Sequence, residues 1–258
     1  MSKKRNSRIR NQIIIPVTHS MRDLDKYSNV ELAALFSNNK INFEIFITLL
    51  EQNKRNVNLI NEMLMETIIN ESTTSIDTIK LLIEYGADIN YRSPLGSTPL
   101  LRCSFHQINK IKTIELLIQS GANVNSENNY QETSLMILAE NSMNYHDLEK
   151  IKLLIRKGSK INYQNKYGQT PLMYGVLSNN IRIFDLFDLL FDIIKLLLDN
   201  KADTYIKNKK GKNIFDIVKD TIGENSNIYS LIFNYKNLEN DHLCESDINF
   251  IYNYSWYL

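Results

Sequence analysis

An eleven-residue segment recurs along this chain: "KLLIEYGADIN" begins at residue 80, "ELLIQSGANVN" at 115, "KLLIRKGSKIN" at 152 and "KLLLDNKADTY" at 195. The steps are 35, 37 and 43 residues, and a weaker copy, "TLLEQNKRNVN", begins at 48, a step of 32 before the first. A period of this size limits the fold more than any other feature. Each repeat must be one supersecondary unit that cannot bury its apolar face without a neighbour.

A second ladder runs in phase with the first: "GSTPL" at 96, "QETSL" at 131, "GQTPL" at 168 and "GKNIF" at 211. Each begins sixteen residues after its partner, whereas the return distances are 19, 21 and 27. Insertions therefore fall on one side of the unit only. In "KLLIEYG" the apolar residues share one helical face and Gly86 follows, a pattern that predicts a helix ending in a left-handed cap; Gly121 and Gly158 repeat it. Thr98-Pro99 and Thr170-Pro171 predict helix starts, because the hydroxyl accepts from free N–H groups and proline fits the first turn. The expected unit is helix, loop, helix, then a projecting turn of constant length that sets how one unit stacks on the next.

These matched motifs resemble the ankyrin repeats, whose period is close to the one here. The resemblance covers residues 28–238 and is strongest from 79 to 205. It implies an all-α solenoid of stacked helix-loop-helix units with short projecting β-hairpin-like turns. Six units are expected, at about 28–58, 59–90, 91–125, 126–162, 163–205 and 206–238, preceded by a basic leader over 1–27 and followed by a tail over 239–258 that caps the stack or recruits a second partner. The family usually has His after T-P-L, where it ties neighbouring units; Leu101, Met136 and Met173 stand there instead, so apolar packing is expected to replace the tie. Gln131 occupies the place of Gly96 and Gly168, which predicts a looser or strained turn. The Asn, Ile, Lys and Tyr bias is similar to that of ankyrin proteins of amoeba-infecting giant DNA viruses, and AT-rich protist or bacterial genomes produce the same bias.

The resemblance also implies where a partner would sit. By matching motif to motif, the turn tips and the exposed side of each first helix become Leu95, Ser97, Phe105 and His106, then Asn129, Tyr130, Glu132, Glu140 and Asn141, then Lys166, Tyr167, Gln169 and Ser178, and finally Lys209, Lys210 and Lys212. Tyr130 and Tyr167 hold equivalent positions, and Tyr contributes large contact area at low entropic cost. The expected function is a non-catalytic module that binds a protein partner through a concave groove. An alternative is an adaptor whose tail links a target to ubiquitin-ligase or scaffolding machinery.

Composition narrows the alternatives. Thirty Lys and Arg against 29 Asp and Glu leave a net charge of +1, so no global field favours nucleic acid or an anionic membrane. The apolar stretch over 181–198 is broken by Arg182, Asp185, Asp188, Asp192 and Lys195 and is not expected to span lipid. Within it Phe184, Phe187, Phe191 and Ile194 fall at helical spacing, predicting an amphipathic extension that packs on neighbouring helices or docks a partner. Two cysteines, Cys103 and Cys244, make no disulfide framework and fit an intracellular, cytoplasmic location. Cys244 with His242 is the one remote candidate for a catalytic thiol; no nucleotide, metalloprotease or hydrolase motif is present, and no cofactor or metal is expected. A monomer is expected.

Overall fold

The computed structural model describes residues 51, 56–69, 76–105, 110–178 and 187–241. The leader, His106, Phe184 and residues 242–258, with Cys244, lie outside them. Ten α-helices occur among the described residues: α1 (Val57–Ile69), α2 (Ile76–Glu84), α3 (Pro99–Phe105), α4 (Ile111–Gln119), α5 (Ser134–Asn141), α6 (Tyr145–Arg156), α7 (Pro171–Leu177), α8 (Phe187–Asp199), α9 (Ile214–Thr221) and α10 (Asn227–Asp241). The all-α architecture matches the expectation. The chain divides into two compact units, Met1–Asn123 and Val124–Leu258.

In the first unit α1 packs against α2 and α3, and α3 against α4. Ile60, Met63, Leu64 and Ile68 of α1 are fully buried, as are Leu82, Leu101, Cys103, Ile114 and Leu117. Lys110, at the start of α4, is buried and donates from Nζ to the Ile68 carbonyl at 2.8 Å. A cation at the carbonyl end of α1 opposes the partial negative charge there.

The second unit is a two-layer stack. Short helices α5, α7 and α9 pack in order, α7 lying against both others, and the longer α6, α8 and α10 form a second layer in which α8 touches both neighbours. The residues expected to replace the polar tie do pack as core: Leu101 in the first unit, and Met136 and Met173 in the second, are all fully or almost fully buried.

Helix ends follow the local rules. Gly86, Gly121 and Gly158 have φ of 93°, 96° and 89°. Thr98, Thr133 and Thr170 accept from the amides of Leu101, Met136 and Met173 at 3.3, 3.4 and 3.4 Å. Asn213 replaces Thr in the last copy and forms a full capping box with Asp216.

Two features were not legible. Lys201, in the place of the cap glycine, takes the left-handed conformation at φ 65°. Its carbonyl accepts from Asn162 Nδ2 at 3.0 Å, and Asp203 N–H donates to Asn162 Oδ1 at 2.8 Å. Asn125 makes the same two bonds to Gly158 (3.0 Å) and Lys160 (2.8 Å), and Asn90 makes them to Gly121 (3.1 Å) and Asn123 (2.9 Å). The asparagine closing each "IN" or "VN" thus holds the next cap with one donor and one acceptor, which only a primary amide of this length supplies. The helix α8 also differs from the expected aromatic stripe. Its buried face is Leu189, Leu190, Ile193, Ile194, Leu197 and Leu198, while Phe187 and Phe191 sit half-buried at its edge.

Candidate partner-binding surface

Each turn that precedes a first helix is organised by one side chain. Asn128 Oδ1 accepts from the amides of Tyr130 (2.9 Å) and Glu132 (3.0 Å). Asn165 does the same for Tyr167 and Gln169, both at 2.9 Å, and Asn208 for Lys210 (2.9 Å) and Lys212 (3.1 Å). In the first unit Ser93 takes this role with the Ser97 amide at 3.1 Å. A side-chain acceptor that bonds its own backbone two residues on mimics a turn, which explains why Asn recurs there. Within the second unit the tips are also joined to one another: Lys166 N–H donates to the Tyr130 carbonyl at 3.0 Å, and Lys209 N–H to the Tyr167 carbonyl at 2.9 Å.

The fourth position of each turn is left-handed. Gly96, Gly168 and Gly211 adopt φ of 73°, 74° and 75°, and Gln131 adopts φ 60°. The expected strain at Gln131 is therefore present, while the turn keeps its form, with Gln131 N–H donating to the Asn128 carbonyl at 2.9 Å. A Cβ on Gly168 would lie 2.9 Å from the Lys209 nitrogen, inside the tip-to-tip bond. We expect Gln131→Gly to raise stability by about 0.5–1 kcal/mol, the left-handed cost being partly offset by greater freedom in the unfolded chain. Gly168→Ala is expected to cost at least about 1–2 kcal/mol from its φ alone. Urea titrations of both variants measure the pair, and equal effects of one sign contradict this account.

The tips present a mixed surface. Leu95 is 70% exposed in the first unit; in the second, Tyr130 and Tyr167 are 50% and 51% exposed. Asn129, Lys166, Lys209, Lys210 and Lys212 are exposed, and Gln169 is half-buried. Two expected contact residues do not face solvent. Ser97 is 6% exposed and Ser178 is 4% exposed, the Ser178 hydroxyl donating to the Glu140 carbonyl at 2.6 Å. Both side chains are short, Ser97 lying two residues before α3 and Ser178 directly after α7. Phe105 and Asn141 remain exposed at the ends of α3 and α5.

Glu132 is half-buried and engaged internally: Oε1 accepts from the Tyr174 hydroxyl and Oε2 from Asn128 Nδ2, each at 2.7 Å. Asn165 Nδ2 donates to the same hydroxyl at 2.7 Å, so buried Tyr174 links two consecutive turns. Burial, and then the bond to Glu132, push the Tyr174 phenol well above its usual range. Burial and the nearby Glu132 charge also raise Glu140 above the ordinary carboxylate range. Two carboxylates therefore flank α5, Glu132 just before it and Glu140 in its last turn, and lysines cluster at the turn before α9.

A cavity of about 460 Å³ opens in the second unit beside those lysines. Tyr167, Gln169, Leu177, Lys209, Lys210 and Ile217 line it, together with the Lys212–Asp220 ion pair. Five of the residues singled out from sequence, Tyr167, Gln169, Lys209, Lys210 and Lys212, thus come together around one depression. Leu177, the last residue of α7 and 38% exposed, was missed, since a Leu closing a short helix reads as core. Among the described residues no group of three or more His, Cys, Asp or Glu could hold a metal ion, and no helix is long and apolar enough to cross a membrane.

Stacked helix pairs joined by uniform turns, with unlike side chains displayed at equivalent tips, define a helical repeat protein. The family model for ankyrin repeats, described as three copies, matches residues 31–128 and 106–208, and the chain belongs to this family. Ankyrin repeats generally mediate protein–protein interaction. A comparison with curated proteins finds no match.

Proposed function

We propose that this chain is a non-catalytic binding module that grips a protein partner through the tips and inner helices of its second unit. The observation that carries the reading is the display of two half-exposed tyrosines, Tyr130 and Tyr167, on consecutive turns whose backbones are bonded tip to tip. Neither ring is needed to hold its turn, because Asn128 and Asn165 perform that task. Their exposure leaves apolar area available at low conformational cost.

Replacing Tyr130 and Tyr167 together with alanine should weaken partner binding by at least about tenfold, as expected when two aromatic contacts are truncated. The melting temperature should stay within a degree or two of the parent, since both rings lie largely in solvent. Affinity purification with mass spectrometry on both proteins, followed by titration of the recovered partner, measures the first quantity, and calorimetry the second. A partner retained at full affinity by the double variant would remove the tyrosines from the interface.

A further inference from the structure

We infer that the cavity between the last two turns of the second unit is a receptor for an acidic peptide segment that carries a bulky apolar side chain flanked by carboxylates. This deepens the proposed binding function and rests on it. The floor is apolar, formed by Leu177, Ile217 and the Tyr167 ring. Ile217 is 4% exposed and anchored in the core, while Leu177 and Tyr167 are 38% and 51% exposed. Lys209 and Lys210 also line the cavity and are exposed, and Lys166 is exposed on the preceding tip.

The charge of the rim is available to a partner. Lys212 is engaged with Asp220, but among the described residues Lys166, Lys209 and Lys210 have no carboxylate within ion-pair distance. An exposed cation with no internal partner attracts an incoming anion without having to break a bond first.

The backbone offers no anion nest at this tip. Anion nests use free N–H groups, and here every amide of the tip is occupied. Lys209 donates to Tyr167 O, Lys210 and Lys212 to Asn208 Oδ1, and Gly211 to Asn208 O. What remains are long, separately moving ammonium groups around a hydrophobic floor. That combination suits carboxylates spread along a chain on either side of one inserted side chain, and offers no element to read a base edge. A cavity of about 460 Å³ accommodates such a side chain with adjoining backbone.

The test uses the full chain and fluorescence anisotropy with the labelled octapeptide Asp-Glu-Asp-Leu-Phe-Asp-Glu-Asp. The expected result is saturable binding that weakens as salt rises and weakens by about tenfold or more when Ser replaces Leu and Phe in the probe. Lys209→Glu with Lys210→Glu should lower affinity by about tenfold or more, and Leu177→Ser should do so with little change in salt dependence. Unaltered circular dichroism establishes that these surface variants remain folded. Equal binding of the Ser probe, or tighter binding of single-stranded DNA, overturns the assignment. Tighter binding of a peptide of residues 242–258 than of the octapeptide overturns the external partner in favour of the chain's own segment. Should the acidic probe fail while the double tyrosine variant still loses its partner, the cavity assignment falls and the binding module stands; if neither effect is seen, both fall.

Discussion

Lys150→Met should destabilise the protein by about 3–5 kcal/mol, because it leaves a carboxylate buried without its counter-ion. Lys150 is 0% exposed, and its Nζ lies 2.7 Å from Asp147 Oδ1. Asp147 is itself 2% exposed, and its other oxygen accepts from the Met143 amide at 2.9 Å. The pair sits in the first half of α6, whose start is capped by Asn144. Removing the cation while the anion stays forces Asp147 either to take up a proton or to remain charged in an apolar setting. The double variant Asp147→Asn with Lys150→Met should cost less than the sum of the single changes, since no buried charge then remains. Guanidinium unfolding of the four proteins in a double-mutant cycle measures the coupling. A cost for Lys150→Met below about 0.5 kcal/mol would mean that the ion pair is solvated in solution.

Leu154→Ala is the second large effect, at about 2–5 kcal/mol. Leu154 is fully buried on the face of α6 that also buries Ile151, and α6 packs against both α5 and α8. Helices held from two sides have little freedom to close a void, so the value should fall in the upper part of the range. In a repeat array the loss need not spread evenly. Hydrogen exchange should show the protection of α5, α6 and α8 falling more than that of α1 and α3. Uniform loss over both units would show that they unfold as one cooperative block.

Much of the fold could be read from residues alone because the signals are local. A glycine after an amphipathic run gave the caps at Gly86, Gly121 and Gly158, and Thr at position 98 or 170 marked helix starts whose hydroxyls do bond the third amide onward. These arrangements depend on a few consecutive residues and recur wherever those residues do. The tips were legible for the same reason. Leu95, Tyr130 and Tyr167 precede the left-handed position of their turns and are all exposed.

Other features needed the neighbouring repeat. Lys201 adopts a conformation that glycine favours, held there by Asn162 of the preceding repeat. Ser97 and Ser178 read as contact residues and prove buried, while Glu132 is drawn into bonds with Tyr174 and Asn128. Leu177 could have been found by one sequence signal: it is followed by Ser178, a residue type that favours helix ends and so leaves the last apolar residue at an edge.

The division has a physical origin. Periodicity, caps and turn-forming asparagines are short-range properties, and with them the amino-acid order determined that this chain builds repeated helix pairs in a set phase. Which member of a helix meets solvent is a property of what stands opposite. Asp147 and Lys150 are spaced three apart like any surface pair, as are Asp77 and Lys80, yet the first pair is buried and the second exposed. Only the packing of one repeat on the next decided that, and the same packing brought two separate turns together to leave a lysine-rimmed cavity between them.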